Sequence, residues 1–266
     1  MVNSTGDRVG VSSPEMARSF LLTLAVVLSI VVGIPIAIGF VVGPLYALVA
    51  VALLFGLVSL VLRDSVQVGI AVEKLDAHDL DGAEAAARRA SGSLWVGRGG
   101  RGMALNVLSS CAWLRGDQDK ALPLVRRAVA QLDRAGAAVQ IVGTIARLNE
   151  IQLLALTGDV EGAAQKLDAL GPVPDGQLAR VHEIDTRLLV AFESSDAFRL
   201  PADLRPWFHA ARDGEAATST FVLLIWAFDQ RGETDAIAEA AALARERERP
   251  SFAPAHPRLA QWWAGR

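Results

Sequence analysis

Apolar positions follow two regimes along the chain. From Ser19 to Leu62 they run on for 44 residues with no charge among them. Beyond Arg63 they recur three and four apart, broken at Gly, Asp and Pro, a spacing that puts them on one face of a helix. No stretch of any length alternates with the period of two that a half-buried strand requires. The pattern predicts an all-α protein.

As one helix the uncharged run would be about 66 Å long, roughly twice the hydrocarbon thickness of a bilayer. It divides better into two spans, 19–38 and 45–62, joined through GFVVGP. Pro44 is placed to start the second helix, and Pro35 to kink or end the first. The expectation is a two-span transmembrane helical hairpin over 19–62, behind an N-terminal tail, 1–18. A secretory leader fits less well, because the apolar run is too long and no clean small-x-small site follows it. Arg8 and Arg18 flank one side, Arg63 and Lys74 the other, and the turn between the spans has no basic residue. That asymmetry places both termini on the cytoplasmic side of the cell (inner) membrane. No proline falls between Leu62 and Ala77, so one helix is expected from about Leu45 to Ala77, with Gly69 its weak point.

The helical pattern after Arg63 repeats. Five segments align: HDLDGAEAAARRA from His78, GDQDKALPLVRRA from Gly116, GDVEGAAQKLDAL from Gly158, SDAFRLPADLRPW from Ser195 and GETDAIAEAAALA from Gly232. Their anchors lie 38, 42, 37 and 37 residues apart. Each opens on a turn former, and all but the last place Asp next to it. Ala83, Ala121 and Ala163 follow at one common offset. Arg88-Arg89-Ala90 and Arg126-Arg127-Ala128 share another. Such a unit ends one helix at a left-handed residue and turns a second helix back along it. Small residues let the two approach, and neighbouring units must stack to bury their apolar faces.

In these features the chain resembles the tetratricopeptide repeat, whose period is about 34 residues. Leu105, Leu108, Ser109, Ala112, Gly116, Ala121 and Ala128 carry the resemblance in the second unit, and Ile151, Leu154, Gly158, Ala163 and Leu167 in the third. Leu224, Phe228 and Gly232 carry it in the fifth. The fourth is poor: Ser195 stands where the turn glycine belongs, and Pro201 and Pro206 interrupt its second helix. The resemblance implies an α-solenoid of about five helix-turn-helix units over 63–251, with a C-terminal tail, 252–266. It also implies a concave groove lined by the first helix of each unit. Carried over by position, the groove comprises Asn106, Ser110 and Trp113, then Gln152, then His182 and Asp185, then Trp226. Trp113 and Trp226 lead, since aromatic rings with a polar tip are common interface anchors. The competing reading buries them between helices.

One motif points elsewhere. VGRGGRGMALN, from Val96, reads G-x-G-x-x-G at Gly97, Gly99 and Gly102, with Asp117 and Asp119 beyond. A dinucleotide site needs a strand before these glycines and another after the following helix. Neither is legible. GRGGRG instead falls between the first two units and is expected to be a solvated, flexible joint, where alanine at Gly99 and Gly100 costs little.

Composition adds exclusions. The net charge of −3 gives no basic patch for a nucleic acid. Cys111 is the single cysteine, inside an apolar pattern that suits a small packed residue. The four histidines have no ligand spacing, and His78 stands in for a turn glycine. No nucleophile has a base beside it, so no catalytic, cofactor or metal site is expected. The leading expectation is a membrane-anchored scaffold binding a protein or peptide partner at the bilayer surface, with a homo-oligomer open. A structural or assembly subunit of a larger membrane complex is the alternative. A nucleotide-binding enzyme using the Gly97–Gly102 loop is the remote one.

Overall fold

The computed structural model describes residues 44–136, 139–246 and 252–266. All regular structure there is helical, with no strand among the described residues. The helices are α1 Pro44–Asp76, α2 Leu80–Gly92, α3 Arg98–Leu114, α4 Gln118–Asp133, α5 Gln140–Leu156, α6 Val160–Ala169, α7 Gln177–Ser194, α8 Arg205–Asp213, α9 Thr218–Asp229, α10 Thr234–Glu246 and α11 Pro257–Ala264. Asp64–Arg266 forms one compact unit.

The integral-membrane placement requires correction. Among the described residues no helix is long and apolar enough to cross a membrane. The expected first span, 19–38, lies outside the described residues, as does the tail before it. The expected second span is part of α1, which starts at Pro44 as anticipated but does not end with the apolar run. It continues through Arg63, Asp64, Glu73 and Lys74 to Asp76, so absence of charge marked part of a longer helix rather than a span. The unbroken helix expected from Leu45 to Ala77 is therefore present, while the two-span hairpin is not supported.

The five expected turns share one geometry. His78, Gly116, Gly158, Ser195 and Gly232 all have left-handed backbones, with φ of 59°, 84°, 92°, 55° and 70°. The next residue's amide then reaches back to the preceding helix: Asp79 to Lys74 O at 2.8 Å, Asp117 to Ala112 O at 2.9 Å, Asp159 to Leu154 O at 2.9 Å, Asp196 to Ala191 O at 2.9 Å and Glu233 to Phe228 O at 3.0 Å. Each bond satisfies a carbonyl that the helix end leaves open. The aspartates have a second task. Asp79 accepts from the Gly82 amide at 2.9 Å and Asp159 from the Gly162 amide at 3.0 Å, capping the next helix. One dipeptide thus closes a helix and opens the following one. Asp159→Ala is expected to cost about 1 kcal/mol in urea unfolding. No measurable loss would mean that water caps α6 equally well.

Packing follows from residue size. Ala83, Ala87, Ala90, Ala104 and Cys111 are fully buried where α2 meets α3. The Ser109 hydroxyl, also buried there, donates to Ala121 O on α4 at 2.8 Å. The fourth pair keeps its turn at Ser195, passes through a 3-10 turn at Ala197–Arg199 and resumes as α8, with Pro206 in the first turn. There its missing amide hydrogen costs nothing. Large apolar side chains gather around α9, where Phe221, Leu224 and Phe228 meet Leu188, Leu189, Leu204 and Phe208. Every residue from Ser219 to Phe228 is buried.

The residues expected as a C-terminal tail also belong to this core. Ala255, His256 and Leu259 are buried, and Trp262 and Trp263 pack against the cluster around α9.

Candidate functional site

α3, α5, α7 and α9 are the first helices of their pairs, and each touches the next. Polar side chains cross these contacts in sequence. Asn149 Nδ2 on α5 donates to Asn106 Oδ1 on α3 at 3.2 Å. Gln152 Nε2 on α5 donates to Asp185 Oδ2 on α7 at 2.8 Å and to Thr186 Oγ1 at 3.0 Å. From α9, Thr220 Oγ1 donates to Asp185 Oδ1 at 2.7 Å. Each carboxylate oxygen of Asp185 therefore holds a different neighbouring helix. Polar groups buried this deeply are costly unless paired, so the network selects one register between the helices.

Two imidazoles feel the same carboxylate. Burial pushes His182 and His256 below the ordinary histidine value, and the Asp185 charge pulls both partly back. Near neutral pH both rings are uncharged. His256 stands edge-on to Trp113, ring centroids 5.4 Å apart. Its buried Nδ1 has no hydrogen-bond partner among the described residues.

The segment Phe252–Arg266 lies against this row. Trp113 Nε1 donates to Ala255 O at 3.1 Å, and Gln118 Nε2 donates to Pro254 O at 3.3 Å. Arg258 donates to Glu193 O at 2.7 Å, to Glu193 Oε2 at 3.1 Å and to Ser195 Oγ at 2.8 Å. Its guanidinium also lies 5.2 Å from the centre of the Phe192 ring. Burial raises the Glu193 carboxyl, and the Arg258 charge opposes that rise. Trp262 meets Phe192 edge-on at 6.4 Å, and Arg266 pairs with Asp229 at the end of α9.

Of the expected groove residues, the structure joins Gln152 directly to Asp185 and brings His182 under the same charge. Asn106 extends the row through Asn149. Ser110 is half-buried on α3. Trp113, half-buried, contacts the Phe252–Arg266 segment. Trp226 is buried with 6% exposure and stands edge-on to Phe192 at 5.3 Å, so burial between helices holds for it. Sequence reasoning missed His256, Arg258 and Thr220. One signal was available: TSTFVLLIWAFD is apolar on every side, and a helix without a polar face must be covered all round. The cover includes α11.

The glycines at the start of α3 also need correction. The helix begins at Arg98, so GRGGRG forms its first turns and not a flexible joint. A Cβ at Gly102 would lie 2.6 Å from Leu132 Cγ and 3.2 Å from Ala128 O, and one at Gly100 would lie 2.6 Å from Val96 Cγ1. These glycines permit close packing on α4 and on the preceding loop. Gly102→Ala is expected to cost about 1–2 kcal/mol by overpacking, whereas Gly97→Ala, which meets nothing within 4 Å, leaves stability unchanged. Thermal melts of the two variants check this. Leu94–Val96, before the glycines, form no strand.

No three His, Cys, Asp or Glu side chains among the described residues are grouped to hold a metal ion. Burial lifts the Cys111 thiol to about 11, so it remains protonated and packs as a small apolar residue. An open cavity at the start of α7 is lined by Asp175, Arg180, Glu183, Arg187 and Trp207. Its basic and acidic groups balance, and Arg187 already pairs with Glu183.

No protein-family model, no curated protein and no solved structure matches the chain.

Proposed function

We propose that the Asp64–Arg266 unit is a tetratricopeptide-like scaffold that binds a protein or peptide partner along the row of first helices. The repeated turn geometry supports the repeat reading, because at each of the five anchors a left-handed residue ends a helix and the next amide bonds back to it. One observation carries the binding reading. Trp113 of the row, with Gln118 at the start of α4, grips chain lying 136 to 142 residues away in sequence through its backbone, donating to successive carbonyls. Backbone recognition of this kind suits peptides, since every sequence offers carbonyls and flanking pockets supply selectivity.

The groove in this reading runs past Asn106, Ser110 and Trp113 toward the Gln152–Asp185 pair and His182, with Glu193 at its far rim. Glu193 provides a carboxylate for a basic residue, and the Phe192 ring provides a face for a cation. A displayed random-peptide library panned on the full chain tests the proposal. Enriched peptides are expected to lose binding to Trp113→Ala and to Gln118→Ala while binding Arg147→Ala unchanged. If no enriched peptide depends on Trp113 or Gln118, the first-helix face is not the binding surface.

A further inference from the structure

The Phe252–Arg266 segment joins a buried apolar side, Ala255 and Leu259, to a set of polar contacts made through its backbone and its arginines. The polar contacts described above reach it from α3, α7, α9 and the Ser195 turn, and from Gln118 at the start of α4. In the pair with Glu193 the Arg258 side chain keeps 50% of its exposure and Glu193 10%, whereas Arg266 and Asp229 keep 34% and 36%. The Arg266–Asp229 pair is open enough to water to contribute little net stability. Docking of the segment also carries a cost, because His256 is buried with Nδ1 unpartnered among the described residues. A peptide with an apolar ring edge at that point would complement the site better than the resident imidazole does.

We propose that Phe252–Arg266 is a resident occupant of the groove, and that the external partner is a peptide of the same chemistry competing for its place. The inference rests on the scaffold reading above. The occupant specifies the partner's features in order. Two consecutive backbone carbonyls meet Gln118 and Trp113. A neutral imidazole follows, edge-on to Trp113. Two residues later an arginine spans Glu193 and Phe192. One helical turn beyond, an indole packs on Phe192. Because the resident segment is tethered, its effective concentration is high and it masks the groove until displaced.

A fluorescein-labelled synthetic peptide of residues 252–266 tests this by anisotropy against the full chain. Arg258→Glu sets two carboxylates against each other at Glu193, and Trp262→Ala removes the indole from Phe192. Each weakens the resident segment without altering the groove. The peptide is expected to bind both variants at least about tenfold more tightly than it binds the unaltered chain, since apparent affinity scales with the fraction of open groove. Adding Trp113→Ala to either variant is expected to abolish that gain. Equal affinity for variant and unaltered chain, or a gain that survives Trp113→Ala, overturns the proposal. So does loss of the cooperative melt in both variants, which would make the segment an obligatory part of the fold. If library peptides bind through Trp113 while the 252–266 peptide does not, only this inference falls and the scaffold reading stands.

Discussion

Asp185→Ala is expected to lower the stability of the Asp64–Arg266 unit by about 2–4 kcal/mol, the largest loss from any single polar group in the row. The carboxylate accepts from Gln152 at 2.8 Å and from Thr220 at 2.7 Å. Gln152 and Thr220 are both buried, and alanine leaves a donor on each without its acceptor. The cost is therefore the desolvation of two stranded groups rather than the loss of two net hydrogen bonds. Asp185→Asn separates these contributions. Its carbonyl still accepts from Gln152, and the Thr220 hydroxyl can accept from the new amide, so a loss of about 1 kcal/mol is expected. Urea unfolding of both variants checks the pair. A change of less than about 0.5 kcal/mol for alanine would show that water replaces the carboxylate, and that the network does not set the helix register.

Acidification is expected to detach the Phe252–Arg266 segment. His256 and His182 have values held below the histidine norm of 6.5, with burial the larger cause in each. The undocked or unfolded state then binds protons more readily than the docked one. The sign follows: docking is fully stable above pH 6.5 and weakens as pH falls from there toward the depressed values of the native state. The slope reaches about 1.4 kcal/mol per pH unit for each histidine. Asp185 and His182 on α7 are the titratable groups nearest in effect to His256. The Trp113 ring packs on it from α3 and the Phe252 ring from its own segment. Asp185 opposes the shift, so Asp185→Ala should steepen the pH dependence. Hydrogen exchange of the 252–266 amides at about pH 7.5 and about pH 5 reads the effect. Lower protection factors, that is exchange corrected for the intrinsic slowing in acid, are expected for 252–266 at the lower pH, while those of α2 stay unchanged. His256→Phe should flatten the response, leaving what His182 contributes. Protection factors in 252–266 that are equal at both pH values would remove the imidazoles as the cause.

The turn positions were legible because their determinants are local. A left-handed residue followed by aspartate needs only its own neighbours to end one helix and cap the next. His78 and Ser195 met that need without being glycine. The Ala83, Ala121 and Ala163 positions were legible for a related reason: close helix approach inside a pair depends on residues near in sequence, and all three are fully buried. The polar row was partly legible. Position within the expected repeat nominated Gln152, Asp185 and Trp113. It could not tell that Trp226 is covered, because the Phe192 ring that meets it edge-on comes from another helix pair.

Three errors have the same root. Charge-free length was read as two membrane spans, but among the described residues no helix is long and apolar enough to cross a membrane. Glycines were read as freedom, whereas Gly102 is required by the proximity of Leu132 across a helix pair. Phe252–Arg266 was read as a tail, though Trp262, Trp263 and an all-apolar α9 belonged together. The sequence by itself determined the helices, their turns and the pairing of each helix with the next, since those rest on bonds and contacts within about 40 residues. Only the tertiary structure decided that Asp185 joins three helices, that His256 is buried beside Trp113, and that one segment already occupies the face expected to receive a partner. Those contacts link residues 33 to 143 positions apart. No periodicity specifies them; they arise from the fit of complementary surfaces after the pairs have stacked.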